Sequence, residues 1–411
     1  MRSKYLLLPA LSILIFTAVN AQSHLKAGIW RGELKNQSGT LLPFNFDVQT
    51  TGGKQTLYIH NAAERYKVTD IRQSGDSVFI RMPLFNSEFK LKQDAEGLKG
   101  QWIKHYGDKD ASMDFHAEAG KAWRFFAKAD APKYNIGGRW TAIFGDDKKK
   151  DTTVGEFQQV GSKLTGTFLT TTGDDRYLEG TVAGNKLYLS CFDGGHAFIF
   201  TADITDAKTI TNGEYYAGAS SVDKWTAYKN PKAKLPDAYA LTTLKPGNKK
   251  IAFSFPDLDG KKVSLTDPQF KNKVVIIQMM GSWCPNCMDE TNYFVNDYYK
   301  KYHAKGVEII GLAYERTTDF AKSKYTLAQL KKRFNVPYTM LITGFTPNPG
   351  DPVKSLPALN NYMGFPTTII IDKHGNVSKI HTGFNGPGTG KYYTEFKEEF
   401  EKLTENLLAE K

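Results

Sequence analysis

The sequence predicts a multidomain chain: a duplicated all-β N-terminal region of antiparallel meanders, barrel- or sandwich-like, followed by an α/β domain over residues 250–408. Three observations carry that prediction. Short alternating apolar and polar segments separated by Gly, Asp and Asn turns fill the first 230 residues, the pattern of half-buried strands. They recur with a period of about 110 residues. Beyond residue 250 the pattern changes to continuous apolar runs alternating with helical spacing, and one junction between such a run and a helix carries Trp283-Cys284-Pro285-Asn286-Cys287.

Residues 1–21 combine a basic start (Arg2, Lys4), an apolar run from Tyr5 to Val19 and the small-residue site Val19-Asn20-Ala21, which reads as a secretory signal peptide. The expected location is the periplasm or cell envelope, with a soluble mature protein. The first β unit spans residues 24–119 and the second residues 134–230. Their register is set by Trp30 with Trp140, Phe46 with Phe157, Arg65-Tyr66 with Arg176-Tyr177, Gly75 with Gly184, and Phe89 and Asp94 with Phe198 and Asp203. About eight strands per unit suit a meander that closes on itself and hides its edges, nearest in shape to calycin-like barrels. No catalytic constellation stands out in either unit, so two roles stay open: a docking or ligand-binding module, or a spacer or dimerisation scaffold. Residues 231–249, with Pro231, Pro236 and Pro246, read as a linker.

In the C-terminal domain, Lys273 to Met280 reads as a buried strand, and Thr291, Phe294, Val295, Tyr298 and Tyr302 recur at helical spacing after the motif. Cys284 therefore falls at a helix N-terminus, where unsatisfied N–H groups and the helix dipole favour a thiolate. That makes Cys284 the exposed, activated nucleophile and Cys287, one turn on, the resolving thiol. The rival readings are poorer. Structural zinc needs four ligands, and the chain offers only Cys191 besides and no His pair at ligand spacing, so no metal is expected. Haem attachment needs His after the second cysteine, and Met288 stands there. Cys191 lies on an alternating strand with Leu187 and Leu189 and reads as a small buried hydrophobe, with regulatory pairing the minority alternative.

Downstream, Gly364-Phe365-Pro366-Thr367-Thr368-Ile369-Ile370-Ile371-Asp372 leads a proline into a β-rich run. With the C-x-x-C motif and the element order, residues 250–408 resemble the TlpA/ResA-like thiol-disulfide oxidoreductases of the thioredoxin superfamily. The resemblance implies a thioredoxin-like fold, a redox-active Cys284–Cys287 disulfide in place of a cofactor, and a cis Pro366 lying against it. It further implies that Phe365 presents a backbone edge to substrate beside Trp283 and Pro285. Protein disulfides are the expected substrates, and a membrane electron donor the expected partner that re-reduces the enzyme. Glu290 falls where the family has a carboxylate close to the cysteines and is expected to shuttle protons, the alternative being an exposed helix-face Glu. Thioredoxins proper carry a buried Asp six residues before the first cysteine; Gln278 stands there and cannot take a proton. Glu315, after the strand Val307 to Ala313, is a further candidate at the carboxyl edge of the sheet. Phe345 to Pro357 reads as a proline-rich loop overhanging the site.

The formal charge is +11, or +9 without Arg2 and Lys4, spread as +5 before residue 250 and +4 from there on. No basic stripe interleaves with aromatics, which argues against nucleic acid. Lys148-Lys149-Lys150 reads as a solvated hairpin tip. The functional expectation is an exported reductase of protein disulfides. The alternative is a redox-inert or oxidising thioredoxin-like protein whose β repeats bind a ligand or partner. A peroxidase of the peroxiredoxin type would want Thr three residues before its cysteine, where Gly281 stands.

Overall fold

The computed structural model describes residues 24–106, 109–146 and 149–410. The predicted signal peptide and Lys148 of the hairpin tip lie outside them.

The first β unit is a nine-stranded antiparallel sheet in which the first strand, Gly28–Lys35, pairs both with Leu41–Thr51 and with the last strand, Lys109–Ala119. The sheet thereby wraps round, and its two edges are the chain-adjacent strands Glu64–Val68 and Asp70–Ser74. The second unit closes fully: Gly138–Asp146 pairs with Lys149–Val160 on one side and Ser221–Lys229 on the other, and Lys149–Val160 also pairs with Lys163–Thr170. Alternation sends bulky residues inward, so aromatic side chains fill both interiors: Phe44, Phe46, Phe115 and Trp102 in the first, Trp140, Phe168, Phe200 and Trp225 in the second. The indoles of Trp30 and Trp140 make the same bond, each donating to a carbonyl four residues earlier, Lys26 and Ile136, at 2.8 Å. Gly75 and Gly184 both take φ +58° in the turn before a strand. Phe46 faces Trp30 across the strands, whereas Phe157 faces Gly138 and Trp140 faces Gly155.

The units are packed together. Phe192 of the second inserts its ring into the core of the first, 4.5 Å from Phe44, while the Asn61 amide donates to the Phe192 carbonyl and accepts from its N–H at 2.9 and 3.1 Å. Residues 231–249 hug the redox domain: Thr382 N–H donates to the Ala238 carbonyl, and Leu244 bridges to Leu359. A segment so anchored fixes the two parts together, unlike the free linker that its prolines suggest.

The redox domain is built on a five-stranded sheet in the order Thr339–Ile342, Val307–Ala313, Val274–Met280, Thr367–Ile371, Val377–Thr382, the first three parallel and the rest antiparallel. The central strand is covered on both faces, which is why Val274–Met280 is apolar almost throughout and every residue is buried. The helices Pro285–Tyr293, Phe320–Phe334 and Lys391–Ala409 pack on one face, with Phe396, Phe400 and Leu407 turned inward as their spacing predicts. Phe320–Phe334 begins at Asp319, which caps it by accepting from Lys322 N–H at 2.9 Å. The proline-rich segment does not overhang the site. It contains the helix Asp351–Ser355, with Pro352 in the first turn where its missing N–H costs nothing, and buries Leu356 and Leu359 on the opposite face of the sheet.

Candidate redox site

Cys284 is the N-cap of Pro285–Tyr293, with extended φ/ψ of −100° and 112°. Its sulfur accepts the Cys287 N–H at 3.3 Å. Pro285 occupies the first helical position, where its fixed φ suits a helix start. Cys287 is fully buried, and that burial, with the neighbouring Cys284 sulfur and Glu290, pushes its thiol well above the usual cysteine range. The two sulfurs are thus placed unequally, the first on the loop side and the second inside the helix.

Glu290 is not on an exposed helix face. It is fully buried, its Oε1 accepting from Thr368 Oγ1 at 2.6 Å and its Oε2 from Gln278 Nε2 at 2.9 Å. Desolvation lifts its carboxyl to about 7, against the pull of both hydrogen bonds. A carboxyl group there can hold or release a proton near neutrality. Gln278 takes no proton, yet it is central to the site. Its amide nitrogen reaches the Cys287 carbonyl at 3.4 Å as well as Glu290, and its oxygen accepts from the Thr291 and Tyr338 hydroxyls at 3.3 and 3.4 Å. Tyr338 escapes local pattern reading, because nothing in its own segment marks it. An inward alternation from Pro366 would have picked out Thr368.

The Phe365–Pro366 peptide bond is cis. Phe365 stacks edge-on to Trp283 at 5.6 Å and lies 5.3 and 5.0 Å from Tyr314 and Tyr362, and the Trp283 indole donates to the Tyr314 carbonyl at 2.8 Å. Glu315 serves the loop and not the sulfurs: it accepts from Ser282 N–H at 2.8 Å and Ser282 Oγ at 2.6 Å, and from Thr326 Oγ1 at 3.1 Å. Cys191 sits far from this chemistry in the core of the second β unit, fully buried, and burial raises its thiol well above the ordinary range.

One feature contradicts the expectation that Cys284 is exposed: only 5% of it is accessible. The loop 171–176 of the second β unit lies on the motif. With its amide oxygen and nitrogen assigned to suit their neighbours, the Asn286 side chain donates to the Asp174 carbonyl at 3.1 Å and accepts the Asp174 N–H at 3.2 Å. An ideal Cβ on Gly173 would stand 2.1 Å from that amide, so only glycine, here at φ +147°, permits the approach. Thr172 packs on Gly364, the Thr171 carbonyl on Gly383, and the Gly386 N–H donates to Asp174 Oδ2 at 2.7 Å. Behind the loop, Arg176 is buried and pairs with Glu64 of the first β unit, Asp193 of the second and Asp289 of the motif helix, at 2.5, 3.1 and 2.5 Å. These partners come from three parts of the chain, and no sequence pattern announces them.

Residues 245–395 match the family model described as Redoxin. The chain is 34% identical over 131 residues to the thiol-disulfide oxidoreductase ResA of Bacillus thuringiensis subsp. konkukian (strain 97-27), covering 32% of this chain and 66% of that protein. It is 31% identical over 144 residues to ResA of Geobacillus thermodenitrificans (strain NG80-2), covering 34% and 72%. This chain therefore spans about two thirds of the length of these curated relatives. A crystal structure of a thiol:disulfide interchange protein of the thioredoxin family from Chlorobium tepidum TLS aligns at 23% identity over 39% of this chain and 97% of that one, with a TM-score of 0.30. Through its C-terminal domain, the chain belongs to the TlpA/ResA-like thiol-disulfide oxidoreductases of the thioredoxin superfamily.

Proposed function

We propose that the protein is an exported thiol-disulfide oxidoreductase that reduces disulfides with the Cys284–Cys287 dithiol. The observation that carries this reading is the asymmetry of the pair: a helix-capping sulfur facing a backbone N–H, and a buried second sulfur beside a carboxyl group poised near neutrality. The Cys284 thiolate attacks one sulfur of the substrate disulfide, forming a mixed disulfide and releasing the other as a thiolate. Cys287 passes its proton to Glu290 and attacks Cys284, closing the intramolecular disulfide and expelling the second substrate thiolate. Two electrons leave the enzyme, and two protons end on the substrate thiols, one from Cys287 by way of Glu290 and one from the solvent that took it when Cys284 ionised. Trp283, Pro285 and Phe365 shape the approach to the sulfurs, and Pro366 closes the floor. Protein disulfides are the substrate class. A membrane thiol donor returns the two electrons, since an envelope holds no glutathione pool to do so.

Export rests on the signal peptide pattern at residues 1–21. Among the described residues no helix is long and apolar enough to cross a membrane. The two β units descend from a duplication, supported by the shared meander order and the matching Trp30 and Trp140 bonds. The reading is tested by trapping. Cys287→Ser accumulates mixed disulfides with envelope proteins on non-reducing gels, whereas Cys284→Ser does not. Equal trapping by both variants refutes the assignment, and activity untouched by Cys284→Ser would leave a redox-inert scaffold.

A further inference from the structure

The loop 171–176 closes the flank of the motif formed by Asn286, Gly364 and Gly383. The Trp283 flank is different. It opens on a cavity of about 270 Å³ between the first β unit and the redox domain, reaching Ser282 and Trp283, the two residues before Cys284. Its walls are cationic. The Arg316 guanidinium lies 4.9 Å from the centre of the Tyr106 ring and 4.8 Å from that of Trp283, one ring from each domain. Arg316 is exposed and, among the described residues, makes no ion pair with a carboxylate. Lys104 lines the same cavity almost wholly buried, its ammonium donating to the Gly195 carbonyl. Glu315, the acid among the lining residues, commits its oxygens to three hydrogen bonds from Ser282 and Thr326 and meets Arg316 only through its field. Burial, then the nearby Arg316, bring the Lys104 ammonium down to about 8. Asp193 offsets part of the Arg316 repulsion on Lys104 without an ion pair to it, so an anion entering the cavity between Arg316 and Lys104 still meets two favourable charges.

We propose that this cavity is a substrate subsite in which Arg316, stacked beside Trp283 and backed by Lys104, holds a carboxylate next to the disulfide that Cys284 attacks. The inference rests on the reductase reading and narrows its substrate class to carboxylate-bearing disulfides. The volume is at the small end for a ligand site, so it accepts a low-molecular-weight acid or a short extended acidic segment, and not a folded surface. Arg suits the task because its planar guanidinium can bind a carboxylate through two donors while its face stays on an aromatic ring.

Binding to the full chain is measured by calorimetry with two probes that cannot undergo exchange: S-methylglutathione for a small acid, and a capped Glu-Glu-Ser-Glu peptide for an acidic segment, each against a Gln-containing neutral counterpart. At least one acidic probe binds the wild type and Cys284→Ser alike, weakens as salt rises, and binds Arg316→Gln about tenfold or more less tightly. Arg316→Lys recovers part of the affinity. Whichever probe binds names the source of the carboxylate. Failure of both acidic probes to bind the wild type, or equal binding by Arg316→Gln, overturns the subsite. Because this readout needs no exchange chemistry, it stands apart from the reductase reading, which fails separately if the wild type reduces neither acidic nor neutral peptide disulfides.

Discussion

Replacing Glu290 by Gln tests the proton reservoir behind Cys287. The carboxyl is fully buried, and desolvation lifts it from 4.5 to about 7. In the unfolded chain the group ionises near its ordinary value, whereas the folded protein holds the proton until about 7. Between those values the folded state binds more protons, so stability falls as pH rises and stays lower above 7. At about 1.4 kcal/mol per pKa unit, ionising Glu290 in place costs about 3 kcal/mol. Glu290→Gln keeps the shape and can still meet Thr368 and Gln278, but it cannot ionise. Urea unfolding at about pH 5 and about pH 8 is therefore expected to show a wild-type loss of stability larger than the variant's by about 2.5 kcal/mol. A second assay follows resolution of a preformed mixed disulfide at Cys284. With no carboxylate to take the Cys287 proton, the step slows by about a hundredfold at neutral pH. Parallel stability profiles in the two proteins, with unchanged resolution rates, would refute both the raised carboxyl and its role.

Gly173→Ala forces a Cβ to within 2.1 Å of the Asn286 amide at a φ of +147°, so the loop must lift from the motif and alkylation of reduced Cys284 accelerates severalfold. An unchanged alkylation rate with an unchanged melting temperature counts against the loop as the cover. The dipeptide Pro285-Asn286 brings no charge to the thiolate, and Glu290 disfavours a second negative charge beside it, so the couple is expected near the roughly −270 mV of a reductant. Equilibration with dithiothreitol buffers reads this directly, and a potential above about −180 mV would make the protein an isomerase or oxidase.

Legibility in the sequence followed the range of the interactions. The strands Val274–Met280 and Val307–Ala313 are continuous apolar runs with turn residues at their ends, and they stand where the pattern puts them. Cys284 at the helix cap is equally local. The cis bond before Pro366 stands where the family resemblance puts it and not where any local pattern does. The strand Thr339–Ile342 has only four residues and follows Pro337-Tyr338 closely, too short for any periodicity to show. The helix Asp351–Ser355 hid behind its prolines, since a proline in a first helical turn looks the same in sequence as one in a loop. Gln278 was legible as a missing base but not as the hinge of a network, because its partners Glu290, Thr291, Tyr338 and Cys287 come together only once the helix packs on the sheet.

The cover over Cys284 is the feature furthest from the sequence, and its charges explain why it holds. Arg176 faces three carboxylates, an excess of negative charge that burial should punish. Two devices lower the cost. Asp193 is also paired with His196 at 3.1 Å and takes its backbone N–H, so its carboxylate is held well below the usual range. Asp289 is moved the other way: burial outweighs Arg176 and raises its carboxyl, so part of the excess charge can be absorbed as a proton. One guanidinium thus ties the first β unit, the second and the motif helix at a single buried point, and the rigid hairpin carrying it sets Gly173 against Asn286. With that flank occupied, access to the capping sulfur is governed by the β units and not by the redox domain alone. On the reductase reading proposed above, the β region, which brings no reacting group to the motif among its described residues, acts on the chemistry by shaping which disulfides reach Cys284.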